Sequence, residues 1–294
     1  MCFFVPLSLS GISFSHKSTK TQSFTKFNTL FKYLLQMKYS HEKVSFVTLF
    51  CILSILLINN TLPGQTESTE TICDKWDKLD KQIVNLEIDK EDAVELMEKY
   101  EKEVVKYFLK NNGRYVKRDE WVYPLKNFTS VTHRGNGNDY RLSTYDYFQG
   151  SNTKGHPAHD IFILDDNKDL LDDSTGKPVD IVTMSSGVIV AVDTTWKPGS
   201  LLRGGRYVKV FDVTNMKIFY YSHISKVSVK PGDIVNAGDK IGEVGRTGRK
   251  TILPKGKTHL HVALLKSVRG YPKPEWIIDD IFRAERVYLN AMGK

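Results

Sequence analysis

The chain has 294 residues, 40% of them hydrophobic and 26% charged, with a formal net charge of +8 and three cysteines. That length holds one large or two modest domains, and so few cysteines exclude a small disulfide-stapled scaffold. The charge is uneven: residues 66–111 carry eight lysines against 13 acidic groups, and residues 112–294 carry 28 basic against 20 acidic groups.

Val44 to Ile58 is an uncharged apolar run preceded by Lys32, Lys38 and Lys43 and followed by a polar stretch. This is the layout of an export signal. At 15 residues it falls short of the ~20 that span a bilayer, so cleavage between Asn59 and Glu67 is expected. An uncleaved anchor is the alternative, and it is the one membrane association the sequence suggests. Met37 opens a conventional signal by itself, which makes residues 1–36 a candidate untranslated extension; residues 1–65 are set apart on these grounds. Cys2 and Cys51 fall in that part, leaving Cys73 with no internal partner. A basic domain outside the cytoplasm suits an anionic polymer such as cell wall, or serves solubility alone. Export and the lack of a recognition motif argue against nucleic acid.

Residues 66–113 read as a helical segment. Ile72, Trp76, Leu79, Ile83 and Leu86 recur at alternating spacings of four and three, as do Ala93, Met97, Tyr100, Val104 and Phe108. Asp89 is placed as an N-cap and Gly113 as a helix stop. Two helices packed as a hairpin on the next domain are expected, with a short dimerising coiled coil as the competing view. The sequence leaves oligomeric state open.

Residues 114–294 change to short β-type runs punctuated by Gly, Pro, Asn and Asp. The clearest strands are Val188 to Val192, Tyr207 to Phe211, Ile218 to Tyr221 and His259 to Leu264. Two successive Gly-Asp turns, at Gly232-Asp233 and Gly238-Asp239, each followed by apolar residues, predict a chain that folds back tightly on itself. The expected fold is therefore mainly β, a small folded-back antiparallel β-sandwich or barrel-like domain preceded by a helical hairpin. Asp165 to Asp180 is acidic but lacks the Gly and terminal Glu of a calcium loop, so it reads as a solvated surface insertion.

The chemistry-bearing residues are four histidines and one aspartate in three places: His156-Pro-Ala-His159-Asp160, Tyr221-Ser222-His223 and His259-Leu260-His261. Imidazole and carboxylate are good zinc ligands, and a catalytic zinc usually keeps three protein ligands and one open position. In a strand, residues two apart share a face, so His259 and His261 face one cleft, where one can bind metal and the other handle protons. A straight strand separates His156 from Asp160 by about 13 Å, so residues 156–158 must curl back, and Pro157 permits it. His159 has the wrong parity relative to Asp160 and is read as facing away. No H-E-x-x-H helix motif is present.

The order H-x-x-x-D, Y-x-H, the Gly-Asp turns, Gly245-Arg-Thr-Gly248 and H-x-H resembles the lysostaphin and LytM type of zinc metallopeptidase, whose members cut peptide cross-links in bacterial peptidoglycan. The resemblance runs from about Trp121 to Ser267, with its motif core in residues 155–267. It implies a Zn²⁺ held by His156, Asp160 and His261, with His223 and His259 as the catalytic pair. It also implies peptidoglycan peptides as substrate, while the apolar run at Val44 to Ile58 predicts an exported protein, in the periplasm, envelope or medium. Two features depart from the family pattern: the acidic insertion after Asp160, and a longer, more basic link between Gly248 and His259. Both segments are expected to wall the groove. The rival readings are a catalytically inactive relative that binds wall or activates another hydrolase, and a carrier-type hybrid domain, which lacks a Met-Lys-Met turn here.

Overall fold

A computed structural model describes residues 70–293, within a compact unit that spans Ser68–Lys294. The apolar run at Val44 to Ile58 read as an export signal, its expected cleavage window and the residues before them lie outside the described residues. No helix among the described residues is long and apolar enough to cross a membrane.

The described residues open with two helices, α1 (Ile72–Asn85) and α2 (Lys90–Lys110). Thr71 and Asp74 form a reciprocal capping box at the start of α1, satisfying backbone donors that the first turn leaves free. Asp89 occupies the N-cap of α2 but makes no side-chain cap bond. The expected stop at Gly113 is displaced: α2 ends at Lys110, and Asn112 takes the left-handed conformation at φ 56°. The Gly113 amide then donates to the Phe108 carbonyl. Asparagine tolerates this region better than most side chains.

Eleven strands follow, all paired antiparallel. The larger sheet holds β1 (Ser130–Val131), β2 (His159–Phe162), β4 (Gly187–Asp193), β5 (Tyr207–Asp212), β6 (Lys217–Ser222), β8 (Ile234–Val235), β10 (His259–Val268) and β11 (Tyr271–Glu275). Its order is β1-β2-β10-β6-β5-β4-β8, with β11 continuing the β2 edge of β10. The smaller sheet is β3 (Asp180–Val182), β9 (Lys240–Glu243) and β7 (Lys226–Val227). A last helix, α3 (Ile278–Ala291), closes the described chain.

The two Gly-Asp turns account for the folding back. Gly232 and Gly238 have φ of +91° and +92°, and each following aspartate accepts a backbone amide three residues back, from Lys230 and Asn236 respectively. The first turn exchanges backbone bonds with Ile189 in the larger sheet, the second with Thr183 beside the smaller one. One local motif used twice thus carries the chain from one sheet to the other.

The larger sheet is buried on both faces. Val188, Val190, Phe211, Ile218 and Leu265 pack with Trp76, Leu79, Met97, Val104 and Phe108 of the hairpin. Ile189, Val208, Val210, Phe219 and Tyr221 pack instead with Ile181, Ile241 and Ile281 of the smaller sheet and α3. The alternation along β4 and β5 is the period-two rule of a strand. The helices pack on the sheet, which settles the hairpin against the coiled-coil alternative. Two charged residues escaped the apolar pattern: Asp80 and Glu101 are buried in the hairpin's packing face.

Cys73 is free, wholly buried on α1, and burial pushes its thiol up to about 12. The acidic segment is largely the surface loop expected, with residues 166–169 and 173–178 exposed, but two of its carboxylates are withdrawn from solvent. Asp165 and Asp172 are buried and spend their carboxylates on nearby donors: Asp165 accepts the Asp169 and Leu170 amides and the Thr258 hydroxyl, and Asp172 the Ser174 and Thr175 amides.

Candidate active site

Three neighbouring strands bring the histidines together. Asp160 of β2 lies directly opposite His261 of β10, which in turn lies opposite Ser222 of β6. His259 sits two residues along β10 on the same face, opposite Phe162. His223 follows β6 immediately and adopts φ 65°, in the left-handed region that few residues other than glycine occupy and that recurs at functional sites. Gly248 is what admits it: at φ +115°, a Cβ there would lie 2.9 Å from His223 Nδ1 and 2.6 Å from the Arg203 carbonyl oxygen.

His156 reaches the cluster by the expected curl. Gly155 takes φ +70°, and His156 then pairs with Arg141 through two backbone hydrogen bonds of 2.8 and 2.9 Å rather than extending β2. His156 Nε2 comes to 3.3 Å from Asp160 Oδ1, His261 Nδ1 to 3.1 Å and His259 Nε2 to 3.6 Å. The His223 ring is centred 4.7 Å from that of His259 and 5.4 Å from that of His261.

Backbone carbonyls fix the tautomers. His156 Nδ1–H donates to the Asp139 carbonyl at 2.6 Å, His223 Nδ1–H to that of Thr247 at 2.6 Å and His259 Nδ1–H to that of Lys257 at 2.8 Å. A carbonyl only accepts, so in each ring Nδ1 carries a proton, and Nε2 presents a lone pair whenever the ring is neutral. Ring-to-carbonyl bonds of this kind commonly orient histidines that bind metal. Thr251 Oγ1 stands 3.3 Å from His223 Nε2.

Burial, followed by the neighbouring His259 and His261, holds His223 well below the ordinary histidine range. Burial also lowers His261, against the pull of Asp160. Burial alone would raise the Asp160 carboxyl, but hydrogen bonds to His156 and His261 outweigh it and keep the group well below the usual carboxylate range. Burial would lower His156, but Asp160 outweighs it and raises the ring above the ordinary histidine range, and a carboxylate facing imidazole nitrogens is a donor set suited to a cation. The ligand atoms of His156, Asp160 and His261 all lie within 4.8 Å of one another, and the 3.1 and 3.3 Å edges at Asp160 are close to the ~3.3 Å implied by a tetrahedral site with ~2 Å bonds.

His159 points to the other side of β2. It is 1% exposed, stacks on Tyr140 at 5.4 Å and meets Trp276 at 4.9 Å, and burial lowers it to about 4.

The five residues border a cavity of about 350 Å³. Arg249, Lys250 and Thr251 form part of its wall, as expected of the link before His259. The acidic segment 165–180 does not contribute; it is folded onto itself and tied to Thr258 and, through Lys168, to the Pro254 carbonyl. The opposite wall comes from α1, through Ile83 and Val84, and from residues Tyr145 to Pro157. Tyr220 and Lys209 reach the cavity from β6 and β5. Spacing in the sequence gave no signal for Ile83, Val84, Lys209, Tyr220 and residues 145–154, which reach the cavity through tertiary packing.

The fold so defined is a folded-back antiparallel β-sandwich with a histidine-lined cavity at the strands β2, β10 and β6. Residues 171–272 match peptidase family M23, and the resemblance to lysostaphin and LytM type peptidases read from the motifs is borne out. The matched span contains His223, His259 and His261 and begins after His156 and Asp160. Similar solved structures include a zinc-containing peptidase from Vibrio cholerae, with 23% identity over 55% of this chain and 39% of that one, at a TM-score of 0.35. The catalytic domain of the antimicrobial peptidase lysostaphin from Staphylococcus simulans is 24% identical over 49% of this chain and 87% of that one, at 0.31. LytU is 21% identical over 55% and 96%, at 0.33. The chain thus spans about two-fifths of the Vibrio cholerae protein's length. No curated protein matches it at a significant level.

Proposed function

We propose that this protein is an exported zinc metallopeptidase that hydrolyses peptide bonds in bacterial peptidoglycan. The observation that carries the reading is the convergence of His156, Asp160 and His261 within 4.8 Å, with His223 and His259 beside them on the wall of one cavity. His156, Asp160 and His261 are the residues that would hold the metal. Zinc, when bound in a site with an open position, acts as a Lewis acid and lowers the pKa of bound water.

The chain's own residues supply the rest. His223 and His259 each present an Nε2 lone pair, fixed by the Nδ1 bonds to Thr247 and Lys257. Such a nitrogen can take a proton from the attacking water and, once protonated, return it to the leaving amine or stabilise the developing oxyanion. The low affinity of buried His223 for protons keeps it neutral and available near pH 7. The glycosidase alternative calls for two positioned carboxylates, and Asp160 is the one carboxylate lining this cavity.

Export rests on the basic flank, apolar run and polar exit around Val44 to Ile58. Zinc-loaded protein incubated with purified sacculi should release fragments with new amino and carboxyl termini, read by mass spectrometry. New reducing sugar ends, or rapid casein digestion without release from sacculi, would overturn the substrate assignment, and intact sacculi with no digestion of either kind would favour an inactive wall-binding relative. N-terminal sequencing of envelope or secreted protein should find a start between Asn59 and Glu67; a cytoplasmic protein starting at Met1 or Met37 refutes export.

A further inference from the structure

The rim of the cavity carries a charge pattern that the hydrolytic chemistry does not use. Arg141, Lys154, Arg203, Arg249 and Lys250 line one surface hollow, and the last four also line the catalytic cavity. They come from three separate stretches of chain, and no acidic residue lines the hollow. Some cations elsewhere have carboxylate partners, as Lys90 with Asp146, Arg118 with Asp280 and Lys217 with Glu275. Among the described residues, none of these five has one.

The fold holds the cluster together. Arg203 donates to the Thr153 carbonyl, tying two walls of the hollow. Arg141 is joined to His156 by their paired backbone bonds, and Arg249 follows the Gly248 that faces His223. Burial, then the charges of Arg249 and Arg141, make Arg203 harder to protonate than an ordinary arginine. Like charges gathered without a counter-ion repel one another, and a bound anion relieves the repulsion. Arginine in particular presents a fork that matches a carboxylate.

We infer that this hollow is a subsite for a free carboxylate of the peptide whose scissile amide lies at His223 and His259, so that the protein selects acidic peptides over neutral ones. The inference rests on the peptidase reading above. It favours a peptide carboxylate over the phosphate of a separate polymer because the hollow and the catalytic cavity share their lining, which places an anion bound there on the same molecule as the scissile amide.

The test is equilibrium binding, read by fluorescence anisotropy, of a fluorescein-labelled stem tetrapeptide with free carboxylates and of the same peptide with every carboxylate amidated. The full protein, with and without zinc, should bind the free acid at least tenfold more tightly. Arg141→Gln and Arg249→Gln, both exposed positions, should each remove several-fold of that preference, and together most of it, with melting temperature unchanged. Raising salt from 50 to 500 mM should shrink the preference, as expected of exposed charges. Equal binding of the two peptides, or a preference untouched by both substitutions, overturns the subsite. Tighter capture of a glycerol-phosphate oligomer than of the acidic peptide overturns the carboxylate assignment. Turnover measured in parallel separates the two readings: cleavage of both peptides without a binding preference sinks only the subsite, and preference without cleavage sinks only the peptidase.

Discussion

Asp80→Asn is expected to be among the most destabilising single substitutions in the hairpin, because it strands a buried charge. Asp80 sits on the packing face of α1 at 1% side-chain exposure, and its partner Lys209 on β5 is at 7%. The carboxylate takes the Lys209 ammonium and the Tyr147 hydroxyl on one oxygen and the Tyr207 hydroxyl, at 2.7 Å, on the other. Removing one partner of a buried pair typically costs about 3–5 kcal/mol. Here the rings of Tyr147, Tyr207 and Tyr220 lie 4.7, 5.3 and 5.6 Å from the ammonium, and ring faces offset part of the loss, so the lower end, about 3 kcal/mol, is expected. With an m-value of about 2 kcal/mol/M, the urea midpoint should fall by about 1.5 M. Lys209→Met added to Asp80→Asn should restore part of it, since the double variant has no stranded charge while the Asn oxygen accepts from one tyrosine hydroxyl and its amide donates to the other. A loss below about 1 kcal/mol for Asp80→Asn, or purely additive single and double variants, would refute the reasoning.

Replacing His156, Asp160 or His261 by Ala should abolish stoichiometric zinc, measured by elemental analysis of purified protein, because a three-ligand site loses a third of its donors; metal content unchanged in all three would sink the ligand assignment. His223→Ala should keep the metal yet lose about 10²- to 10⁴-fold in activity, and full turnover would move proton handling elsewhere. Gly248→Ala should likewise cut activity with zinc retained, since the added methyl meets His223 Nδ1 and the Arg203 carbonyl; an unaffected rate would mean that the His223 position tolerates a shift. The acid limb of stability should depend in part on Arg118, which with Arg283 at Asp280, and after Lys217 at Glu275, overcomes burial and lowers both carboxyls. Groups with depressed folded-state values contribute above their unfolded values near pH 4 and lose that contribution as pH falls through the folded ones. The stability gap between wild type and Arg118→Ala should therefore narrow from pH 6 to pH 3 in urea titrations, and a constant gap would contradict it.

How legible each part was in the sequence follows from how local its cause is. The strands at Val188, Tyr207, Ile218 and His259 are set by alternation along a few residues, and the Gly-Asp turns by positive φ at single glycines, so both could be read directly. The meeting of His156, Asp160, His223, His259 and His261 was implied by the family resemblance, whereas spacing alone put His259 and His261 on one face and required a curl at residues 156–158, one step from where the structure turns, at Gly155. What escaped depended on partners far away in sequence. Asp80 breaks an apolar stripe and makes sense only beside Lys209, 129 residues on. Asp165 reads as a solvent-facing acid until Thr258 and the turn amides are placed around it.

The hairpin shows the same dependence with a functional consequence. Its sequence lies outside the resemblance to lysostaphin and LytM type peptidases and outside the span that matches family M23, which would make it an accessory. Yet Ile83 and Val84 form part of the cavity wall, and Gly150 packs so closely on the hairpin that a Cβ there would lie 2.4 Å from the Ile83 carbonyl oxygen. Ser151 donates to the Val84 carbonyl, so the end of α1 holds the turn at Tyr147–Asn152, and that turn leads through Thr153 and Lys154 to Gly155 and His156. The Asp80–Lys209 pair fastens the same helix to a strand whose Lys209 also lines the cavity. A helix so connected positions the approach to His156 through backbone contacts rather than through chemistry of its own, and the catalytic motifs alone therefore understate what builds this groove.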